Sequence, residues 1–269
     1  MIVEARAALL DALNALAAHQ DSVILVGAQA VYLHTGQASF AIAEATKDSD
    51  LAIDTRVLGD SPLIEDAMTS AGFVLDPTSR QPGAWISPKG VPVDLMVPEL
   101  LSGKRSRRAA KIPPHGGQAA RRTVGLEAAV VDHNARTVES LDGDGRSAIV
   151  QVAGPAALLV AKLHKIGERV ESPDRLNDKD AHDIYRLLVA TTTVDMATAT
   201  RRLLADELSS DVTRVAVGLL HTLFAEGAET LGSVMAGRAE EGVGQPALVS
   251  ASVSFLAQDL LAELSGMDT

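Results

Sequence analysis

Two aspartates flank a serine in Asp48-Ser49-Asp50, just before the apolar run Leu51-Ala52-Ile53. On an extended strand residues 48, 50, 52 and 54 share one face, while Leu51 and Ile53 turn to the other, into a core. The Asp48 and Asp50 Cβ atoms then stand about 6–7 Å apart, twice the strand rise. Hard carboxylate oxygens at that spacing suit one divalent cation held by both, or two cations about 3.5–4 Å apart, set against the phosphates of a nucleotide. The same pair also fits a solvated strand edge, where most carboxylates lie.

Other pieces of the chain bear on that choice. Asp94 sits inside Val91-Pro92-Val93-Asp94-Leu95-Met96-Val97. A carboxylate within an apolar strand needs a partner, whether a cation, an arginine or a backbone amine. If Asp94 lies beside Asp50, three carboxylates converge, and their repulsion raises their pKa values until Mg²⁺ arrives. Gly27 ends the apolar segment Val23–Val26 and opens a helical stretch. Such a junction can aim helix N-terminal amides at phosphate, and it is also an ordinary strand-to-helix connection. Farther on, Lys162 and Arg169 are seven apart and Asp180 and Asp183 three apart, so each pair shares a helix face. A lysine can clamp a triphosphate as a point charge and an aspartate can orient it. The plain alternative is a solvated helix surface with an i,i+4 pair, Lys179–Asp183.

These residues need elements to position them. Val23–Val26, Leu51–Ile53, Ala84–Ser87, Val91–Val97, Ala128–Asp132, Thr137–Leu141 and Ala148–Val152 read as strands. Turns are expected at Pro88-Lys89-Gly90 and Asp142-Gly143-Asp144-Gly145. Met1–Gln20, Ala28–His34 and Pro62–Ala71 read as helices, the last with Ser61 as N-cap. After Gly154-Pro155 the pattern is helical: Ala156–Arg169, Asp178–Ala190, Asp195–Leu208, Asp211–Ala225 and Pro246–Leu264. The expected organisation is an α/β domain over residues 1–152 and an all-helical domain over 153–269.

Composition narrows the function classes. The 269 residues are 46% apolar but only 3% aromatic, so the core is aliphatic and base stacking on aromatic side chains is disfavoured. No cysteine is present, which removes disulfides, thiolate zinc and cysteine nucleophiles. No H-E-x-x-H, G-x-x-x-x-G-K-[ST] or G-x-G-x-x-G occurs, and Ser49 has no adjacent base. His164 and His182 fall near the Lys and Asp helices and read most simply as structural. The N-terminus lacks a signal-peptide pattern and apolar runs fall short of about 18 residues, so no membrane span is expected and the cytoplasm is the default. The net charge of −11 opposes whole-surface attraction to nucleic acid. Between Glu99 and Glu127, however, there is no acid, while Lys104, Arg105, Arg107, Arg108, Lys111, Arg121 and Arg122 are basic. That stretch is either a local polyanion track or a solvated loop.

Together Gly27-Ala28, Thr46-Lys47-Asp48-Ser49-Asp50 and Asp94 resemble the nucleotidyltransferase fold of the DNA polymerase β superfamily. Lys162-Leu163-His164-Lys165-Ile166-Gly167-Glu168-Arg169 with Lys179-Asp180-Ala181-His182-Asp183 is similar to the signature of AbiEii-type toxins, which include the MenT toxins of mycobacteria. The resemblance spans roughly residues 20–190. It implies an α+β fold, with a mixed-sheet nucleotidyltransferase domain followed by an all-helical domain that completes the nucleotide site. It implies metal ligation by Asp48, Asp50 and Asp94, and catalytic roles for these with Lys162 and Asp180. Gly27, Ala28, Thr46, Lys162 and Arg169 are implied to bind nucleotide. Ala28 departs from the family's Gly-Ser or Gly-Gly and offers no hydroxyl. The implied activity is two-metal Mg²⁺-dependent transfer from an NTP to RNA, tRNA above all, by a toxin with a cognate antitoxin. Transfer to a protein hydroxyl or a small molecule, and an inactive binding module, remain as alternatives.

Overall fold

The computed structural model describes residues 2–36, 47–103 and 108–266. Thr46, and Lys104, Arg105 and Arg107 of the basic stretch, lie outside these residues. The chain divides into two compact units, Met1–Ala30 with Ala45–Ala153, and Val31–Glu44 with Gly154–Thr269.

The first unit is a mixed sheet with helices. In chain order its elements are α1 (Ile2–Ala15), β1 (Val23–Val26), the start of α2 (Gly27–Thr35), β2 (Ser49–Ile53), α3 (Ile64–Ser70), β3 (Val74–Leu75), β4 (Ala84–Ile86), β5 (Pro92–Pro98), β6 (Arg121–Thr123), β7 (His133–Glu139) and β8 (Ser147–Ala153). The strand order is β3-β4-β5-β2-β1-β8-β7, and β6 pairs with β5 beyond the end of β4. Position in the sheet explains composition. Central β1 reads Val-Ile-Leu-Val and is buried throughout, while β7 at the edge is mostly exposed and polar. Ala5, Ala8, Leu9, Ala12 and Leu16 recur at helical spacing and form the buried stripe of α1 and its end. Each fully buried leucine there contributes about 1.5–3 kcal/mol by leaving water.

Several expectations change here; the strand expected at Thr137–Leu141 runs from His133 to Glu139, and the helix expected to Gln20 ends at Ala15. The expected strand Ala128–Asp132 is a run of turns, with Ala129 N–H donating to Leu126 O and Asp132 N–H to Ala128 O. Ala128, Ala129 and Val130 are buried without alternation, and the fully buried Glu127 carboxylate ties the segment down by accepting from Leu100 N–H and Gly125 N–H. Helix α3 begins two residues later than expected, and Ser61 is not its cap. Its N-cap is Leu63, and the Ile64 N–H instead donates to His115 Nδ1 at 3.2 Å, a partner 51 residues away. Strand β2 begins at Ser49, so the alternation that aligned Asp48, Asp50 and Asp54 holds for Asp50 alone.

The second unit is helical: α4 (Pro155–Gly167), α5 (Asp178–Ala190), α6 (Thr193–Ala205), α7 (Ser210–Leu220), α8 (Leu231–Arg238) and α9 (Pro246–Ser265). Pro155 occupies the first turn of α4, as expected from its fixed φ and missing N–H. Asn177 caps α5 by accepting from Lys179 N–H at 3.0 Å. Helix α8 carries no strong sequence signal and was not anticipated. Among the described residues α9 is the helix long and apolar enough, by length and composition, to cross a membrane. Its buried residues Val249, Val253, Ala257 and Leu260 nevertheless recur at helical spacing, the stripe of a helix packed on its neighbours α5, α6 and α8.

Candidate active site

Sheet register brings Asp50 and Asp94 together. Strand β2 runs parallel to β5 with Asp50 opposite Asp94, and antiparallel to β1 with Val26 opposite Asp50. Ala84 of β4 stands opposite Asp94 on the other side. Directly opposed residues share a sheet face, so the row Val26–Asp50–Asp94–Ala84 sets two carboxylates side by side at about the 4.8 Å strand spacing. Both aspartates are half-buried, while Asp48, one residue before β2, is exposed.

Gly27 is required next to Asp50 for two reasons. Its φ is +67°, in the left-handed region that favours glycine, and a Cβ there would overlap Asp50 Oδ2. The Asp50 carboxylate therefore fills the place of a side chain at the first residue of α2. Helix α2 begins there with amides that have no helical acceptor and a positive dipole end. Ala28 is buried and carries no hydroxyl.

A buried lock, not anticipated from the sequence, holds this corner. Gln29 Nε2 donates to Ser49 Oγ at 2.7 Å and to Ala5 O at 3.1 Å, and Ser49 Oγ donates to Ala5 O at 2.9 Å. Gln29 also reaches Asp48 O at 3.4 Å and accepts from Arg6 Nε at 2.9 Å. Arg6 Nη1 donates to Glu139 O at 2.9 Å. Burial pulls the Arg6 guanidinium below its ordinary value. Ser49 thus ties the acidic segment to α1 through its hydroxyl, and that hydroxyl is committed.

The partner that Asp94 needs is an arginine. Arg121 Nη2 lies 2.9 Å from Asp94 Oδ2 and 3.1 Å from Met96 Sδ, with Nη1 3.3 Å from Gln81 Oε1. Arg122 pairs with Glu99. Among the described residues no three His, Cys, Asp or Glu side chains are grouped so as to hold a metal. The donor chemistry nevertheless fits a hard divalent cation: adjacent carboxylates on one sheet face, beside a bare glycine Cα.

The helical unit carries the second expected cluster, and its form differs from the expectation. Lys162 is buried, its Nζ 2.8 Å from Asp180 Oδ1 and 2.7 Å from Asp183 Oδ2. Lys165 Nζ lies 3.0 Å from Asp180 Oδ1, and Arg169 Nη1 3.7 Å from Asp180 Oδ2. Burial opposes charge on both Lys162 and Asp180, but each wins against it through the other. Asp180 and Asp183 hold the ammonium above its usual range, and Lys162 with Lys165 holds the Asp180 carboxylate below its own. Helix α4 ends at Gly167, so Arg169 is not on its face; it lies in the turn beyond and still approaches Asp180. Asp183 pairs with buried Lys162. The side chain of Lys165 is 43% exposed, against 7% for Lys162.

A family model described as nucleotidyltransferase matches residues 4–214. No curated protein matches the chain in a sequence search.

Proposed function

The chain belongs to a nucleotidyltransferase family, and from that premise we propose that it joins a nucleoside monophosphate, taken from an NTP, to a hydroxyl of RNA. The observation that carries the site is the parallel register of Asp50 and Asp94 beside Gly27 and the N-terminus of α2. Asp50 and Asp94, with Asp48 one step outside the strand, would hold Mg²⁺, in the two-metal form that the AbiEii-type resemblance implies. When bound, Mg²⁺ supplies charge neutralisation at the α-phosphate and at the departing pyrophosphate.

The protein's own groups account for the rest. The first amides of α2 offer donors to phosphate oxygens, and Gly27 lets the phosphate and the Asp50 carboxylate come close. Asp94 accepts the proton of the acceptor hydroxyl or orients it; the hydroxyl oxygen bonds to the α-phosphorus as the bond to the bridging oxygen breaks, releasing pyrophosphate. Taken by itself, the helical unit keeps positive charge at Lys165 and, less exposed, at Arg169 beside Asp180, a kind of charge that suits phosphate. Lys162 supports them from beneath by fixing Asp180 and Asp183.

For the acceptor, the basic stretch supports RNA, and the AbiEii-type resemblance supports tRNA and a toxin with a cognate antitoxin, acting in the cytoplasm. A protein or small-molecule acceptor is the second reading. It is favoured by the pairing of Arg121 with Asp94 and of Arg122 with Glu99, which uses charge that a polyanion track needs. The test is transfer of label from a panel of α-labelled NTPs to total RNA, to purified protein and to small hydroxyl compounds. Labelled RNA that disappears with Asp50→Ala supports the proposal. RNA left unlabelled by every NTP, or label that survives Asp50→Ala, defeats it.

A further inference from the structure

Asp94 faces two demands. It lies opposite Asp50, where the proposed cation would sit, and its carboxylate is already bound by a fixed positive charge from the same unit. The arrangement is built into the strands. Strand β6 pairs in parallel with β5 so that Arg121 stands opposite Met96, two residues past Asp94. Residues 94 and 96 share a face, so a long side chain anchored opposite Met96 reaches back across it to Asp94. The thioether of Met96 and the amide of Gln81 brace the guanidinium on the way. The backbone is fixed there too: Gly83 has φ +73°, and a Cβ on it would overlap both Leu95 O and Arg121 N. Arg121 is therefore held at its root by close backbone packing and at its tip by three side chains.

We propose that Arg121 is a positioning residue that serves as the resident counter-ion of Asp94 and competes with the divalent cation for that carboxylate. The inference rests on the reading of Asp50 and Asp94 as metal ligands. A guanidinium cannot lose its proton in the working pH range, so only displacement of the side chain releases Asp94 Oδ2 from it. With Arg121 in place, Asp94 stays oriented and its charge is offset beside Asp50, where two adjacent carboxylates repel each other. With Arg121 moved aside, Oδ2 is open to the cation in its place. The metal site is thus completed by exchange of one cation for another, which limits cation binding in the absence of substrate.

The test is Mn²⁺ binding to the full-length protein without nucleotide, read from loss of the aqueous Mn²⁺ electron paramagnetic resonance signal. Arg121→Gln is expected to bind Mn²⁺ about two- to fivefold more tightly than the wild type, the size expected for removal of a partly exposed ion pair. Arg121→Lys, which keeps the charge, is expected to stay near the wild type. A merely structural role predicts the opposite sign, weaker binding in Arg121→Gln. Unchanged or weaker binding in Arg121→Gln overturns the inference, as does equal tightening in Arg121→Lys, which would point to altered packing and not to charge. Asp50→Asn separates this failure from that of the underlying reading. If Asp50→Asn abolishes Mn²⁺ binding while Arg121→Gln leaves it unchanged, the ligands stand and the competition is wrong. If Asp50→Asn has no effect on Mn²⁺ binding, the ligand assignment fails and the inference falls with it.

Discussion

The two charged clusters solve the same electrostatic problem in opposite ways. On the sheet, Asp50 and Asp94 are half-buried neighbours on one face, reachable by a ligand, with Arg121 braced beside them. On the helices, Lys162, Asp180 and Asp183 form a closed knot in which the charges face each other and water is excluded. The first arrangement leaves its charge half exposed, as the proposed chemistry requires. The second spends its charge internally and leaves only its rim, Lys165 and Arg169, to face outward. Signature residues thus end in opposite settings, Lys162 buried against two aspartates and Asp50 with Asp94 half-buried on the sheet, and the proposed roles follow that difference in burial.

That contrast can be broken by substitution. The largest expected effect is in the knot. Lys162→Met takes the ammonium from buried Asp183 and leaves Asp180 to Lys165 and Arg169 at the rim, and should destabilise the protein by about 3–5 kcal/mol. Lys165→Met, at the exposed rim, should cost less than about 1 kcal/mol. Urea unfolding of the two variants checks both, and equal losses would erase the distinction between knot and rim. On the sheet side, Gly27→Ala forces a side chain into a left-handed backbone and onto Asp50. It should cost about 1–3 kcal/mol and lower transfer by more than that loss of fold explains, because Asp50 must move. Unfolding and transfer measured on the same preparation separate the two effects.

A smaller effect concerns pH. Asp180 is held below its ordinary value, so its contribution is complete above the unfolded carboxyl value of about 4 and is lost as pH falls through the lower folded value. Lys162 is held above its ordinary value, so its contribution is complete below about pH 10 and is lost only as pH rises through the higher folded value. The knot should therefore add a constant increment between about pH 5 and 9. In Lys162→Met, burial without the ammonium raises the Asp183 carboxyl instead, so the stability difference between wild type and variant should be largest at the alkaline end of that range and narrow as pH falls; a difference that widens toward acid contradicts this.

Legibility in the sequence follows the range of the interaction. Local signals were clear: the apolar β1 ending at Gly27, the acidic entry to β2, the glycines that turn β7 into β8, and Pro155 opening α4. Asp94 was legible as a carboxylate in need of a partner, and its place beside Asp50 follows once the strands are paired. The identity of its partner was not legible, because Arg121 reaches it through the pairing of β5 with a three-residue strand that carries almost no signal of its own. Gln29 and Ser49 were hidden for the same reason, since their common acceptor is a backbone carbonyl on α1. The run Ala128–Asp132 misled because small buried residues suit a buried turn as well as a strand. Lys162 had the right type and spacing for a phosphate clamp, but spacing alone does not reveal that two aspartates from α5 close over it.

The most direct test of the contrast is one paired measurement of nucleotidyl transfer and melting temperature on Asp50→Asn and Asp183→Asn. The account predicts that Asp50→Asn lowers transfer by at least about 100-fold at an unchanged melting temperature. It predicts that Asp183→Asn lowers the melting temperature, with transfer per folded molecule reduced far less. Transfer that survives in Asp50→Asn, or a melting temperature untouched in Asp183→Asn, contradicts it.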